Sequence, residues 1–262
     1  RRENQRFANS GGRLQGEYYL DSGLAVGGYL GFRSNQVHFY GYDDEAVSFT
    51  RETVRQNWNL FDVGLKAYNG ERTVGDINYD AAFNLYRLTD NYAAGETGVD
   101  LQFGGTKWFD DKHPLSLKII TDFTTYDDTT KQRLNNFFFH PKFTFHGNGF
   151  KIKAGVNIAS HNDDFFFFPD AEVAVNIVGN RLAAFAGAGG GLQKNNLRNL
   201  SEYNPFISTF ARLNLQNTNY FHYYGGLRGS LVILDYQVEA GDKDARNLAL
   251  FLYDPQDSLR FQ

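Results

Sequence analysis

The stretch that decides the fold is NNFFFHPKFTFHG, residues 135–147. Successive side chains of a β-strand point to opposite faces, so this stretch predicts a strand with one apolar and one polar side. Two residues interrupt the alternation, Phe138 and Pro141, and a proline indicates a strand end, an edge or a bulge. The apolar side holds Phe137, Phe139, Phe143 and Phe145, and the polar side holds Asn136, His140, Lys142, Thr144 and His146.

The same period of two recurs along the whole chain. It appears in GDINYDAAFNL (75–85), GVDLQFGGTKW (98–108), LSLKIITDFTT (115–125), FKIKAGVNIAS (150–160) and DAEVAVNIVGN (170–180). With weaker segments and the turn signals between them, this pattern predicts about 14 antiparallel strands joined as hairpins. Two stretches without the period, near 41–57 and 194–219, are predicted to be long loops, in which a short helical turn is compatible with the sequence. We expect a single domain over 1–262.

The composition excludes several classes of protein. Lys and Arg number 26 against 30 Asp and Glu, so no basic surplus favours nucleic acid as a partner. The 25 Phe, 16 Tyr and 27 Gly favour strands and tight turns. The chain has no Cys, which excludes disulfides, Cys-bound zinc and thiol catalysis, and no apolar run is long enough for a membrane helix. It also has no Met and no secretion leader, so we expect it to lie within a longer gene product.

Alternation alone does not say whether the apolar side faces a protein core or lipid. Three features favour lipid. The alternating stretches last about 9 to 12 residues, as tilted membrane strands do, whereas soluble strands usually run about 5 to 6. Aromatic residues gather at strand ends, as at Trp108 and Phe109, Phe165–Phe168, and Tyr223 and Tyr224. The mean hydropathy of −0.48 suits a barrel with a polar lumen. We therefore predict an all-β, antiparallel up-and-down transmembrane β-barrel, with a soluble β-sandwich binding module as the alternative.

A resemblance to a known family appears in FFFFPDAEVAVNIVGNRLAAFAGAGGGLQKNNLRNLSEYNPFI (165–207) and continues in LNLQNTNYFHYYGGLRGSL (213–231). An aromatic-rich strand, a Pro-Asp step, a short Gly-Asn turn and a small-residue strand ending in glycines resemble outer-membrane β-barrel proteins labelled TonB-dependent-receptor-like. The resemblance covers about the last two thirds of the chain and rests on this succession of strands and turns.

The resemblance implies a location in the outer membrane of a Gram-negative bacterium and a non-catalytic role in passage or binding. Receptors of this family that couple to an energy-transducing partner carry an N-terminal plug domain, and the sequence contains no such globular segment. Plug-gated active uptake is therefore not expected of this chain. Related barrels are longer, so we expect further strands outside it.

The sequence contains no recognisable catalytic or metal-binding pattern. None of its six histidines forms the spaced pair of a zinc protease, and no Gly-x-Ser-x-Gly elbow supports a barrel hydrolase. We therefore expect no enzyme, no cofactor and no metal site. The expected function is a porin-like channel or a receptor for a small or extracellular ligand, and the alternative is a structural or assembly subunit of a larger outer-membrane complex. Expected partners are outer-membrane lipids and other outer-membrane or periplasmic proteins. The candidate lumen-facing residues are Asp80, Lys118, Asp122, Lys151 and Lys153.

Overall fold

The structure is a computed structural model, and it describes residues 6–39, 50, 52–70, 75, 77–128, 131–179, 181–209, 215–231 and 233–252. Within these ranges the chain forms thirteen β-strands and one short helix. In chain order they are β1 (Phe7–Tyr19), β2 (Leu24–His38), β3 (Arg55–Asn69), β4 (Ile77–Asp90), β5 (Gly95–Phe109), β6 (His113–Asp127), β7 (Lys131–His146), β8 (Phe150–His161), β9 (Asp164–Pro169), β10 (Ala171–Val178), β11 (Leu182–Gln193), α1 (Leu197–Tyr203), β12 (Thr218–Leu231) and β13 (Leu234–Arg246).

The strands form one antiparallel sheet in which chain neighbours are also sheet neighbours. The exception is that both β9 and β10 pair with β8. Val156 lies opposite Pro169 and Lys153 lies opposite Glu172, which is one unbroken register, so β9 and β10 are two halves of a single strand. Proline has no N–H to give to the ladder, and the strand is interrupted there.

The predicted fold class is confirmed: the described residues form thirteen strands, or twelve if β9 and β10 are counted as one, against about fourteen predicted. The sheet order starts at β1 and ends at β13, and no pairing among the described residues joins these two edge strands. The sheet is therefore open between them.

One face of the sheet is apolar and exposed. Phe103 and Phe123 are 53% and 51% exposed, and the flanking strands present further large apolar side chains on the same face. Cross-strand pairing connects these positions from β1 to β13, through steps such as Leu14 with Leu30 and Leu227 with Val238. The described residues form no second sheet to cover this face, so the apolar side is not the core of a sandwich. We call it the apolar face, and the opposite side the polar face.

The two ends of the sheet differ in their connections. At one end the strands are joined by short turns, for example 20–23, 110–112 and 147–149, and Gly23 and Gly149 there take the positive φ that tight turns require. At the other end some strands are also joined by short turns, but 16 residues separate β2 from β3 and 24 residues separate β11 from β12. We call these the short-turn end and the long-loop end. No helix in the described ranges is both long and apolar enough to cross a membrane.

The two predicted long loops, 41–57 and 194–219, separate strands whose ends meet at the long-loop end. Most of 41–57 lies outside the described residues, and its last three residues already belong to β3. The second, 194–219, contains α1, and its last two residues begin β12. We call residues 194–209 and 215–217 the inner loop.

Candidate ligand-binding face and inner loop

The inner loop folds back onto the polar face instead of extending away from the sheet. Its apolar side chains and those of β3 to β7 form one buried cluster near the long-loop end, against which Ala249 and Phe251 also pack. The sheet contributes Trp58, Leu60, Tyr86, Leu88, Tyr126 and Leu134, the turn between β4 and β5 contributes Ala94, and the inner loop contributes Leu197, Leu200, Ile207 and Leu215. Burial of these side chains holds the loop across the polar face.

Glu96, near the start of β5, anchors the helix of the inner loop. Its side chain is fully buried. One carboxylate oxygen, Oε2, accepts a hydrogen bond from the backbone N–H of Leu197 at 2.7 Å. The other, Oε1, accepts from Tyr86 Oη at 2.8 Å, Asn196 Nδ2 at 2.9 Å and the backbone N–H of Arg198 at 3.1 Å. The first N–H groups of a helix have no partner within the helix, so this carboxylate supplies what the start of α1 lacks.

Asn196 completes the start of α1. Its backbone is extended, and its Oδ1 accepts from the N–H of Asn199 at 3.1 Å, which is the geometry of an N-cap. Its Nδ2 also donates to Tyr86 Oη at 2.6 Å. A single asparagine therefore both begins the helix and attaches it to the sheet.

Lys194 forms a second anchor on the polar face. Its Nζ lies 2.6 Å from Asp122 Oδ2 and donates to Thr124 Oγ1 at 2.6 Å. The Lys194 and Asp122 side chains are 19% and 13% exposed. A charge removed from water is tolerated only when it is paired and hydrogen-bonded, so this pair specifies where the loop leaves β11.

Further polar contacts attach the rest of the inner loop to strands β2 to β7. These are Arg33 with Glu202, Trp58 Nε1 to the carbonyl of Pro205 (2.9 Å), Thr209 Oγ1 to Asp90 Oδ2 (2.6 Å), Gln132 Nε2 to the carbonyl of Leu215 (2.7 Å) and Asn217 Nδ2 to Asn136 Oδ1 (2.6 Å). The loop is therefore held at many points across the polar face.

The structure places all five sequence-predicted lumen residues on the polar face, but it does not bring them together. Asp122 lies beside the inner loop and pairs with Lys194. The other four lie nearer the short-turn end. Lys153 pairs with Asp170 at 2.7 Å, and Lys151 lies opposite Ala174 of β10. Asp80 and Lys118 lie in one lateral row, each opposite Gly104 of the strand between them.

Sequence reasoning missed Glu96, Lys194 and Asn196, which do most to position the inner loop. The only local signal is the run KNNLRNL (194–200), in which an asparagine precedes a short apolar repeat as an N-cap does. The alternation of the strand does not distinguish Glu96. It lies on the same face of β5 as Asp100, which does not contact the inner loop.

Among groups of three or more His, Cys, Asp and Glu side chains, the described ranges contain none that could hold a metal ion. The polar side chains that position the inner loop, such as Glu96, Asp122 and Lys194, are instead hydrogen-bonded or ion-paired with neighbouring groups. The chemistry of this face is therefore hydrogen bonding and ion pairing.

Comparisons with known proteins find solved structures of similar fold but low sequence identity. No family model and no curated protein matches the sequence. The siderophore receptor PirA from Pseudomonas aeruginosa aligns with 95% of this chain and 54% of its own, with a TM-score of 0.62 and 11% identity. The alcaligin outer-membrane receptor FauA from Bordetella pertussis aligns over 98% and 47%, with a TM-score of 0.56 and 13% identity. The chain has the fold of an outer-membrane receptor barrel.

A third structure, the FpvAI–pyocin S2 complex, aligns with 98% of this chain and 46% of that one, with a TM-score of 0.51 and 11% identity. The chain thus spans about half the length of the structures it matches. The predicted resemblance to outer-membrane receptor barrels is confirmed at the level of the fold, and the predicted outer-membrane location agrees with it. PirA and FauA are both receptors.

Proposed function

We propose that this chain forms part of the wall of an outer-membrane barrel receptor that admits a small extracellular ligand. The observation that carries the proposal is the division of the sheet into two faces. The apolar face is exposed from β1 to β13, and lipid is the solvent that suits such a surface. The polar face carries charged and amide side chains, which suits a lumen that holds water or a ligand.

The connections orient the sheet in the membrane. Outer-membrane barrels have short periplasmic turns and longer extracellular loops. The long-loop end, with the inner loop, is therefore assigned to the extracellular side, and the short-turn end to the periplasm. A ligand arriving from outside meets the inner loop first.

The inner loop favours a receptor over an open porin-like pore. Its attachment through Glu96 and Lys194 places side chains across the polar face on the extracellular side. Passage then depends on movement of this loop. Below it, the mixed charges of Asp80, Lys118 and Lys153 predict weak selection for the sign of an ion.

The ligand class to test first comes from the structural neighbours. PirA is named as a siderophore receptor and FauA as an alcaligin receptor. Iron chelates are therefore the first candidates for this chain. FpvAI, which shares this fold, forms a complex with pyocin S2, so protein partners at the long-loop end are part of the proposal.

Two measurements test the proposed function. Purified protein in planar bilayers is expected to show little steady conductance, because the inner loop restricts the polar face. Equilibrium binding to a panel of ferric siderophores in detergent is expected to find at least one ligand. A large, steady conductance without ligand binding would support a porin instead. Stable co-purifying membrane proteins with neither conductance nor binding would support the structural-subunit alternative.

A further inference from the structure

A cavity of about 650 Å³ lies on the polar face, between β1 to β3 and α1. Ligand sites for small molecules typically measure about 300 to 1,000 Å³, so a small ligand fits. Its lining includes three arginines, Arg13, Arg33 and Arg198, and two carboxylates, Asp62 and Glu202. These side chains leave a surplus of positive charge in a chain whose net charge is −4. We call this space the arginine cavity.

Arg13 is oriented in the cavity by stacking on an aromatic ring. Its guanidinium carbon lies 3.8 Å from the centroid of the Tyr29 ring. The ring is itself held, because Tyr29 Oη donates to Asn84 Oδ1 at 3.2 Å. Among the described residues no hydrogen bond or ion pair of Arg13 is present, and a stacked guanidinium keeps its N–H groups free at its edge. It is therefore ready to bind an acceptor.

Glu202 pairs with the other two arginines of the cavity, Arg33 and Arg198. Its Oε1 accepts from Arg33 Nη2 and lies 4.0 Å from Arg198 Nε. Glu202 stands in the last turn of α1, where a negative charge is unfavourable beside the helix dipole. Its side chain is 44% exposed, so it can leave without opening the core. This carboxylate has the chemistry of a ligand group that the two arginines would accept.

We propose that the arginine cavity binds a small ligand rich in carboxylates, one of which replaces Glu202 at Arg33 and Arg198 while another pairs with Arg13. The planar fork of a guanidinium matches a carboxylate with two parallel hydrogen bonds, which a neutral amide does not reproduce. This inference rests on the proposed receptor function and specifies the charge of its ligand. It also makes Glu202 a competitor for the site.

The experiment compares two probes of one shape and different charge, benzene-1,3,5-tricarboxylate and benzene-1,3,5-tricarboxamide. Titration calorimetry of the detergent-solubilised protein is expected to show binding of the tricarboxylate alone. Arg13→Gln should weaken that binding by about tenfold or more, as the loss of a hydrogen bond to a charged group does. The control is Arg87→Gln, because Arg87 lies at the same end of the sheet but on the apolar face, where it bonds Thr97 and does not line the cavity. It should leave binding unchanged.

A second variant keeps the test independent of misfolding. Glu202→Gln removes the competing carboxylate and should strengthen tricarboxylate binding by about threefold or more, a gain that a damaged protein cannot give. Equal binding of the triamide, no binding of the tricarboxylate, or no gain in Glu202→Gln would each overturn the inference. Binding of a neutral ferric siderophore in that case would leave the receptor proposal standing, so the two failures are distinguishable.

Discussion

Glu96→Gln should release α1 from the sheet while leaving the sheet intact. The wild-type carboxylate accepts four hydrogen bonds, three of them from the inner loop. Glutamine has nearly the same shape but only one acceptor oxygen. With that oxygen at the position of Oε1, the amide nitrogen points its hydrogens at the N–H of Leu197, and two donors face each other.

The size of the effect follows from these contacts. A hydrogen bond to a charged group contributes about 1.5 to 3 kcal/mol, and a buried donor left without a partner costs about 1 to 3 kcal/mol. We therefore expect the docking of α1 to weaken by about 3 kcal/mol, which is roughly 150-fold in the equilibrium for opening the loop. The strand ladders do not pass through this carboxylate, so global unfolding should change much less.

Amide hydrogen exchange of peptides covering α1 measures this opening directly, with peptides from β4 and β5 as internal references. The matched control is Asp100→Asn, which removes a carboxylate from the same strand and the same face. Asp100 accepts from Asn84 and Gln102 and does not touch the inner loop. Exchange in α1 should accelerate in Glu96→Gln and stay at the wild-type rate in Asp100→Asn. Wild-type exchange in both variants, or equal acceleration in both, would refute the reasoning.

Two further pairs of substitutions in β5 test the packing and the two faces. The Cβ of Gly98→Ala would clash with the ring of Tyr86, so this variant should lower the free energy of unfolding by about 1 to 3 kcal/mol in denaturant titrations. Gly105→Ala should be nearly neutral, because no heavy atom lies within 4 Å of the added Cβ. Equal losses would contradict this. Phe103→Arg puts a charge on the apolar face and should cost about 2 to 4 kcal/mol, while Gln102→Arg on the polar face should not. The two arginine variants are compared by their folding yield into lipid vesicles, which is read from unheated and heated gels. Similar yields would count against a lipid-facing Phe103.

The division into faces was predictable because it depends on local geometry. In a strand the side-chain direction alternates residue by residue, so the positions of Phe103 and Gln102 follow from the sequence alone. The prolines were also informative. Pro141 lies where the pairing of β7 with β8 lapses, and Pro169 lies where β9 gives way to β10, as a residue without an N–H requires.

The inner loop was not predictable, because its position depends on residues far apart in the chain. Glu96 and Leu197 are separated by 101 positions, and Asp122 and Lys194 by 72. Asp122 has the parity of a lumen residue, and nothing near it in the sequence indicates that a lysine from a distant loop will pair with it. The same holds for the arginine cavity, since Arg13 and Arg198 meet only when the loop folds back.

The most direct test of the account is to measure which solvent each face of β5 contacts. The chain has no cysteine, so single cysteines along this strand can carry a nitroxide label without background. In lipid vesicles, labels at Val99, Leu101 and Phe103 should be relaxed by oxygen, because oxygen concentrates in lipid. Labels at Asp100 and Gln102 should be relaxed by a water-soluble nickel chelate. Two results would contradict the account. Labels at Val99, Leu101 and Phe103 could be reached by neither reagent, as inside a sandwich, or they could be reached by the nickel chelate as readily as the labels at Asp100 and Gln102.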